Sequence, residues 1–139
     1  MRDKSDENRL SFASVSGEDQ LMTVTDWPDE IRLSPDKSRL SLVFSGGDRV
    51  TLEAEYLRVE SPSAEVQGHA PHEKKLIAGK SRVKILGLDP VGNYAVRIRF
   101  DDGHDSGLFT WAYLKKLAAE RDAIWQAYLD ALAASGQAR

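Results

Sequence analysis

The residues best suited to chemistry are histidines and aspartates in two turn-rich stretches of the chain. His69 and His72 lie three residues apart in the stretch 61–73, which contains two prolines and a glycine. His104 follows an Asp-Asp-Gly turn and precedes Asp105. If the two stretches meet in the fold, their imidazoles and a carboxylate have the donor types to hold a divalent metal ion. The alternative is that His104 bonds loop backbone and only steadies its turn.

A run of basic residues is a second candidate site. It spans eleven positions without an acid and contains Lys74, Lys75, Lys80, Arg82 and Lys84. Clusters of this kind contact the phosphates of polyanions, but an ordinary solvated loop and strand face has the same composition. The run lacks the interleaved aromatic residues typical of proteins that bind single-stranded nucleic acid. We therefore expect phosphate or polyanion contacts at most, and no nucleic-acid partner.

Composition excludes several classes of protein. The 139 residues contain 19 lysines and arginines, 22 aspartates and glutamates and no cysteine, and the net charge is −3. Without cysteine the chain has no disulfide, thiol nucleophile or cysteine-held zinc or iron–sulfur centre of its own. No apolar run approaches the ~20 residues that cross a bilayer, and residues 1–7 are polar and unlike a secretory signal. We expect a cytoplasmic protein without membrane association.

Alternating apolar residues predict short strands separated by hairpin turns. The turn signals are Ser-Gly-Gly-Asp at 45–48 and Asp-Asp-Gly-His at 101–104, since glycine readily adopts the positive φ of a tight turn. The alternation predicts strands at 30–34, 39–44, 50–52, 83–88, 94–100 and 105–109. The pattern indicates an α+β fold, with a small, mostly antiparallel β-sheet of about six short strands and a long C-terminal α-helix packed on it.

The predicted helix begins after Thr110, a good N-cap residue. Apolar residues then recur at every third or fourth position to about residue 134, before Gly136, which suits a helix end. The distal part of this helix presents an apolar stripe of Trp125, Tyr128 and Leu132. The stripe either covers the core or forms a surface for a protein partner or for a second copy of the chain.

Three regions follow from these patterns. Residues 1–26 mix polar and acidic residues with scattered apolar ones and predict a disordered or loosely ordered acidic tail. The folded domain is expected at 27–118. Residues 119–139 then hold the distal part of the C-terminal helix and a short tail.

Five blocks of sequence resemble those of a known family, in the same order. They are WPDEIRL (27–33), AEYLRV (54–59), SPSAEVQGH (61–69), PVGNYAV (90–96) and FDDGHDSG (100–107). Residues 27–117 are thereby similar to the gamma-butyrobetaine hydroxylase N-terminal-like domain family, formerly a domain of unknown function. The resemblance implies a small α+β domain. In the hydroxylases this domain precedes a separate oxygenase domain, to which nothing in the sequence is similar.

The resemblance also implies where a metal site would fall. The hydroxylase domain holds a structural zinc ion through three cysteines and one histidine, at positions that correspond here to Ser61, Ser63, Val66 and His104. Serine hydroxyls are poor zinc ligands and valine offers no donor, so we expect the cysteine-type zinc site to be absent. The correspondence still predicts that the 61–66 segment faces the 101–105 turn.

Relatives of the domain are fused to P-loop ATPases of the iron–sulfur carrier type. The resemblance therefore implies a non-catalytic accessory or interaction domain, linked to iron–sulfur or metal-cofactor assembly or to a partner enzyme, with such an ATPase as a candidate partner. One alternative is a metal-binding protein that uses the 61–72 loop and the 101–105 turn. The other is a small enzyme acting in the loop cleft, although the spacing reveals no nucleophile–base pair. The candidate binding residues are Ser61, Ser63, His69, Asp102, His104 and Asp105, with His69 and His104 as the candidate metal ligands.

Overall fold

The structure, a computed structural model, describes residues 9–11, 27–68 and 71–139, and Arg9–Ser11 by its backbone alone. The rest of the predicted tail at 1–26 lies outside the described residues, and so does His69. The strands are β1 (Arg9–Ser11), β2 (Pro28–Leu33), β3 (Arg39–Phe44), β4 (Arg49–Glu53), β5 (Ile85–Val91), β6 (Ala95–Phe100) and β7 (Leu108–Thr110). The helices are α1 (Ala54–Val59), α2 (Ala64–Gln67), α3 (Trp111–Ala119) and α4 (Arg121–Ser135), with a 3-10 turn at Pro71–Glu73.

The strands form two antiparallel sheets. Strands β1 to β4 make a four-stranded sheet in sequence order, and β5 to β7 make a three-stranded one. The α+β class is confirmed, and β2 to β7 correspond to the six predicted strands with ends shifted by a few residues. Two details differ: the strands divide between two sheets, and β1 arises within the predicted tail by pairing Leu10 with Ile31. Three residues are too few for their alternation to reveal a strand.

One hydrophobic core joins the two sheets to α3. Successive side chains of a strand point to opposite faces of the sheet, so alternate residues such as Ile31, Leu42 and Ile98 are completely buried. Trp111 and Leu114 of α3 pack into the same core. The sheets and α3 therefore form one body on which the loops of the molecule are fixed.

The C-terminal segment begins as predicted and then bends. Thr110 is the N-cap of α3, and its hydroxyl accepts a hydrogen bond of 3.1 Å from the backbone N–H of Tyr113. The prediction of one continuous helix is wrong, because Glu120 (φ −106°, ψ 17°) leaves helical geometry and separates α3 from α4. The apolar spacing continues across the bend, so periodicity does not reveal it. Helix α4 ends at Gly136, which adopts the left-handed conformation (φ 74°) that favours glycine.

Helix α4 packs on a second, smaller apolar cluster. Tyr128 and Leu132 are 6 % and 3 % exposed and lie against Val59 and the segment 76–78. The Tyr128 hydroxyl donates a hydrogen bond of 2.6 Å to the backbone carbonyl of Ile77. Tyr128 and Leu132 therefore cover the core, the first of the two alternatives for the distal stripe, because their own chain buries them. A partner surface or a homodimer through the C-terminal helix stays a prediction.

Candidate functional site

The 61–66 segment and the 101–105 turn meet, as predicted. The Ser61 Oγ lies 2.9 Å from the His104 Nε2, and the Ser63 Oγ lies 3.4 Å from the same nitrogen. On the other side of the ring, the His104 Nδ1 lies 3.2 Å from a Glu65 carboxylate oxygen. We call Ser61, Ser63, Glu65 and His104 the His104 cluster. Sequence reasoning identified three of its four members and missed Glu65, whose part depends on the short helix α2.

Local turn geometry presents His104 to this cluster. Gly103 has a φ of +93°, and its N–H bonds the carbonyl of Phe100 at 3.2 Å. The N–H of Phe100 in turn bonds the carbonyl of His104 at 2.9 Å, which closes the turn. The Asp102 carboxylate also accepts a hydrogen bond of 3.0 Å from the His104 backbone N–H. The imidazole therefore leaves a turn that is held at three points.

The hydrogen-bond partners fix the protonation state of the imidazole. A carboxylate only accepts hydrogen bonds, so the His104 Nδ1 carries a hydrogen and donates a hydrogen bond to Glu65. The Nε2 then holds a lone pair and accepts a hydrogen bond from the Ser61 hydroxyl. Burial, aided by the positive charge of Arg58, lowers the pKa of His104, although the Glu65 carboxylate opposes this shift. The imidazole is therefore neutral near pH 7, with both ring nitrogens engaged.

The order serine, histidine, carboxylate is that of a hydrolase triad, but the His104 cluster is closed to substrate. Ser61 is completely buried, and the His104 side chain is 2 % exposed. Gly107 packs directly on the Ser61 hydroxyl, so closely that a Cβ at residue 107 would collide with it. A substrate carbonyl has no route to this hydroxyl. The arrangement serves as a cross-link between the α1–α2 segment and the β6–β7 turn.

The cluster also does not fit the zinc ion that the resemblance implies. Two of the corresponding residues offer neutral hydroxyls, and the third, Val66, is buried and offers no donor. The His104 Nε2 lone pair is already used by Ser61. Elsewhere in the described part of the chain, which leaves out His69, no three side chains of the ligand-forming types are grouped to hold a metal. The metal hypothesis through His69 stays a prediction.

Of the other acidic candidates in the turn, Asp102 has structural partners and Asp105 does not bind a described side chain. Asp102 accepts from the Arg58 Nε and pairs with the Lys80 Nζ, both at 2.7 Å. These partners lower the pKa of Asp102 to about 2 against the effect of its burial. Asp105 is exposed on the surface. Asp102 thus ties α1 to the turn, and its two cationic partners make it a poor ligand for a further cation.

The basic run is partly neutralised by acids that lie far away in sequence. Lys74 pairs with Glu60 at 2.6 Å, and Lys80 pairs with Asp102. Lys75 and Arg82 are exposed, and Lys84 is half-buried. The five cations therefore do not act as one field, and their contact with phosphates stays a prediction.

A groove lies beside the His104 cluster, and the sequence did not predict that its lining residues come together. It encloses about 660 Å³, within the range of known ligand sites. We call it the helix groove, and it is lined by Val59, Glu60, Pro62, Gln67, Lys74, Lys75, Leu76, Ile77, Tyr113, Lys116, Leu117, Glu120, Ile124, Ala127, Tyr128 and Ala131. Most of its lining is apolar, with lysines contributed by the 74–77 segment and by α3.

Hydrogen bonds hold the walls of the helix groove in place. The Tyr113 hydroxyl donates to the backbone carbonyl of Glu60 at 2.5 Å, and the Tyr128 hydroxyl bonds Ile77 as described above. Burial raises the pKa of Tyr113 to about 12, aided by the Glu60 charge. The N–H of Lys75 bonds the carbonyl of Val66 at 2.7 Å. The groove is thus preformed, and its tyrosine hydroxyls are committed to the walls.

Two sheets, a bent C-terminal helix pair and a cross-linked loop define this molecule as a small α+β domain with a preformed groove. The family model described as gamma-butyrobetaine hydroxylase-like, N-terminal, matches residues 31–115. The match covers more than half of the chain, so the chain belongs to this family, as the resemblance predicted. The model is that of the N-terminal domain, and no oxygenase catalytic domain is found in the chain.

Solved structures agree with this assignment. A solution NMR structure is 47 % identical with a TM-score of 0.71, covering 83 % of this chain and 90 % of its own. Another is 41 % identical with a TM-score of 0.72, covering 85 % and 88 %. A crystal structure from Acidithiobacillus ferrooxidans, of a protein with unknown function in the DUF971 family, is 37 % identical with a TM-score of 0.57, covering 68 % and 94 %. No curated protein matches.

Within the described ranges, no helix combines the length and the apolar character that crossing a bilayer requires.

Proposed function

We propose that this chain is a non-catalytic accessory domain that binds a partner protein in the helix groove. The observation that carries the proposal is the preformed, mostly apolar groove bordered by lysines without internal partners. Neither Lys75 nor Lys116 forms an ion pair with any described residue. A mostly apolar groove with a polar rim is the kind of site at which an amphipathic segment of a partner protein docks.

The His104 cluster supports a binding role over an enzymatic one. Its serine and histidine are the nearest approach to catalytic residues in the described part of the chain, and both are enclosed by their own structure. A general base must reach the proton that it removes from a substrate. The metal-binding alternative has less support, since both ring nitrogens of His104 are engaged.

We further propose that the partner acts in iron–sulfur or metal-cofactor assembly. The support for this step is the family resemblance, in which relatives of the domain are joined to P-loop ATPases of the iron–sulfur carrier type. A docking contact in the groove would bring such an ATPase to the domain, as the covalent connection does in those relatives. A P-loop ATPase of this type is therefore the candidate partner to test first.

The test is capture from extracts of the native host with a groove-filling variant as control. Ala127 is exposed and lines the groove, so Ala127→Arg fills it without disturbing the core. Ala123 is exposed on the same helix outside the groove, and Ala123→Arg is the matched control. We expect the tagged wild-type chain and Ala123→Arg to retain an iron–sulfur or cofactor-assembly protein that Ala127→Arg loses. Identical captures by all three chains, or the absence of any such protein, would contradict the proposal.

A further inference from the structure

We infer that the helix groove recognises an acidic amphipathic segment, one whose apolar side chains are flanked by carboxylates. This inference rests on the proposed function and specifies the chemistry of the partner. The apolar side chains would pack on the floor, and the carboxylates would pair with Lys75 and Lys116. The segment would be short, because the groove is bounded by the 74–77 segment and two helices.

The floor of the groove determines the apolar half of this pattern. Leu76, Ile77 and Ile124 are half-buried, so each still exposes part of its surface. Ala127 and Ala131 lie four residues apart on α4 and are exposed, which places small side chains one helical turn apart. Small residues beside larger ones leave depressions into which side chains such as leucine fit.

Charge determines the acidic half. The groove lining contains three lysines and two glutamates. Lys74 is neutralised by Glu60, whose side chain is 8 % exposed, so this pair belongs to the wall. Lys75 on the 74–77 segment and Lys116 on α3 remain, with Glu120 as the remaining acid. Complementary charges at the edge of an interface favour an acidic occupant and reject a basic one.

The same lining disfavours a polyanion such as a nucleic acid. Phosphates require many cations, whereas this groove offers two unpaired lysines over an apolar floor that would remain uncovered. Burying apolar surface contributes about 25 cal/mol per Å², and an amphipathic segment gains this contribution while a phosphate backbone does not.

The test uses the isotope-labelled full chain and synthetic peptides followed by NMR. The probe is a peptide of about four helical turns, with leucines along one face and glutamates beside them. A second peptide carries lysines in place of the glutamates. We expect the acidic peptide to shift the amide signals of 74–77 and of α4, and the basic peptide to bind at least tenfold more weakly. Equal binding of the two peptides would overturn the inference.

Paired charge reversals locate the contact. Lys75→Glu combined with Lys116→Glu should lower the affinity for the acidic peptide about tenfold, because two surface ion pairs are lost and replaced by repulsion. Arg49→Glu combined with Arg82→Glu makes the same charge change at exposed positions outside the groove, and it should alter the affinity less than twofold. Equal weakening by the two double variants would show nonspecific attraction and overturn the inference.

The peptide result and the capture result separate the two proposals. If Ala127→Arg abolishes partner capture but the acidic peptide does not bind the wild-type chain, the inferred chemistry is wrong and the docking function stands. If the acidic peptide binds in the groove but capture is unaffected by Ala127→Arg, the docking function is wrong for the captured protein.

Discussion

The His104 cluster and the helix groove lie side by side and share the segment that follows α1, yet they treat polar groups in opposite ways. In the cluster, the hydroxyl of Ser61 and both ring nitrogens of His104 have partners within the chain. In the groove, the side chains of Lys75 and Lys116 form no ion pair with a described residue, while apolar side chains remain partly exposed.

The groove, and not the cluster, is the region available for binding. A buried polar group that is fully hydrogen-bonded contributes to one defined fold, and opening it to a ligand would leave its partners unsatisfied. A partner can reach exposed lysines and apolar side chains without breaking any hydrogen bond within the chain. Ser61 and His104 thus serve the fold, and the chemically plainer groove is the better candidate for function.

The largest effect is expected from removing the imidazole of the cluster. His104→Ala deletes a buried ring and leaves the Ser61 hydroxyl without its acceptor, so the free energy of unfolding should fall by about 3 kcal/mol. Chemical denaturation measures this change. Glu65→Gln is the matched control. The Glu65 side chain is 69 % exposed, and the amide oxygen of the new glutamine still accepts a hydrogen bond from the His104 Nδ1. A loss below about 1 kcal/mol for His104→Ala would show that the cluster is not a cross-link.

A smaller effect is expected from crowding the same cluster. In Gly107→Ala, the new Cβ collides with the Ser61 hydroxyl, and we expect a loss of about 2 kcal/mol from overpacking. Combining it with Ser61→Ala removes the colliding oxygen, so the double variant should lose less than the sum of the two single variants. Strict additivity in the denaturation midpoints would contradict the packing described here.

Most of the strands and the turns at 45–48 and 101–104 could be predicted from sequence, because alternation and turn chemistry are local. The N-cap at Thr110 is local in the same sense. The prediction that Ser61 approaches His104 came from the family resemblance. Local periodicity cannot predict a contact between residues 43 positions apart.

Other features could not be predicted because they depend on long-range packing. The bend at Glu120 interrupts an apolar pattern that itself continues unbroken. Glu65 joins His104 only because α2 forms where no periodicity predicted it. The helix groove draws its lining from four separate stretches of the chain, and no local pattern indicates that these stretches meet.

The third prediction concerns pH. The folded chain holds His104 neutral, with a pKa below the ordinary value of 6.5, whereas the unfolded chain takes up a proton near pH 6.5. Stability is therefore full above pH 6.5 and declines as the pH falls toward the folded pKa, by at most ~1.4 kcal/mol per pH unit for one proton. His104→Gln should flatten this decline, because it removes the titrating group. Glu65→Gln should deepen the decline, because the negative charge of Glu65 favours protonation of His104.

The Asp102 carboxylate contributes to the stability of the fold in a separate, more acidic pH range. Its folded pKa of about 2 lies below the ordinary 3.8, so its contribution is present above pH 4 and is lost as the pH falls from there toward 2. Unfolding curves measured at closely spaced pH values distinguish the two windows. A decline between pH 6.5 and 5 that is identical in the wild type and in His104→Gln would contradict the assignment to His104.

The smallest effect on stability is expected from the groove. Lys75→Glu combined with Lys116→Glu changes two exposed side chains, so the free energy of unfolding should stay within about 0.5 kcal/mol of the wild type. Thermal unfolding measures this, with Arg49→Glu combined with Arg82→Glu as the charge-matched control. A larger loss in the groove variant alone would mean that these lysines stabilise the fold and are not free for a partner.

The most direct test of the central claim compares the two regions in one binding measurement. The affinity of the captured partner is measured by calorimetry for the wild type, for His104→Gln and for Ala127→Arg, each at a temperature where the chain is folded. The account predicts that His104→Gln lowers stability but keeps the affinity within about twofold, while Ala127→Arg keeps stability and loses at least about tenfold in affinity. Loss of affinity in His104→Gln with normal binding by Ala127→Arg would place the binding site in the His104 cluster and contradict the account.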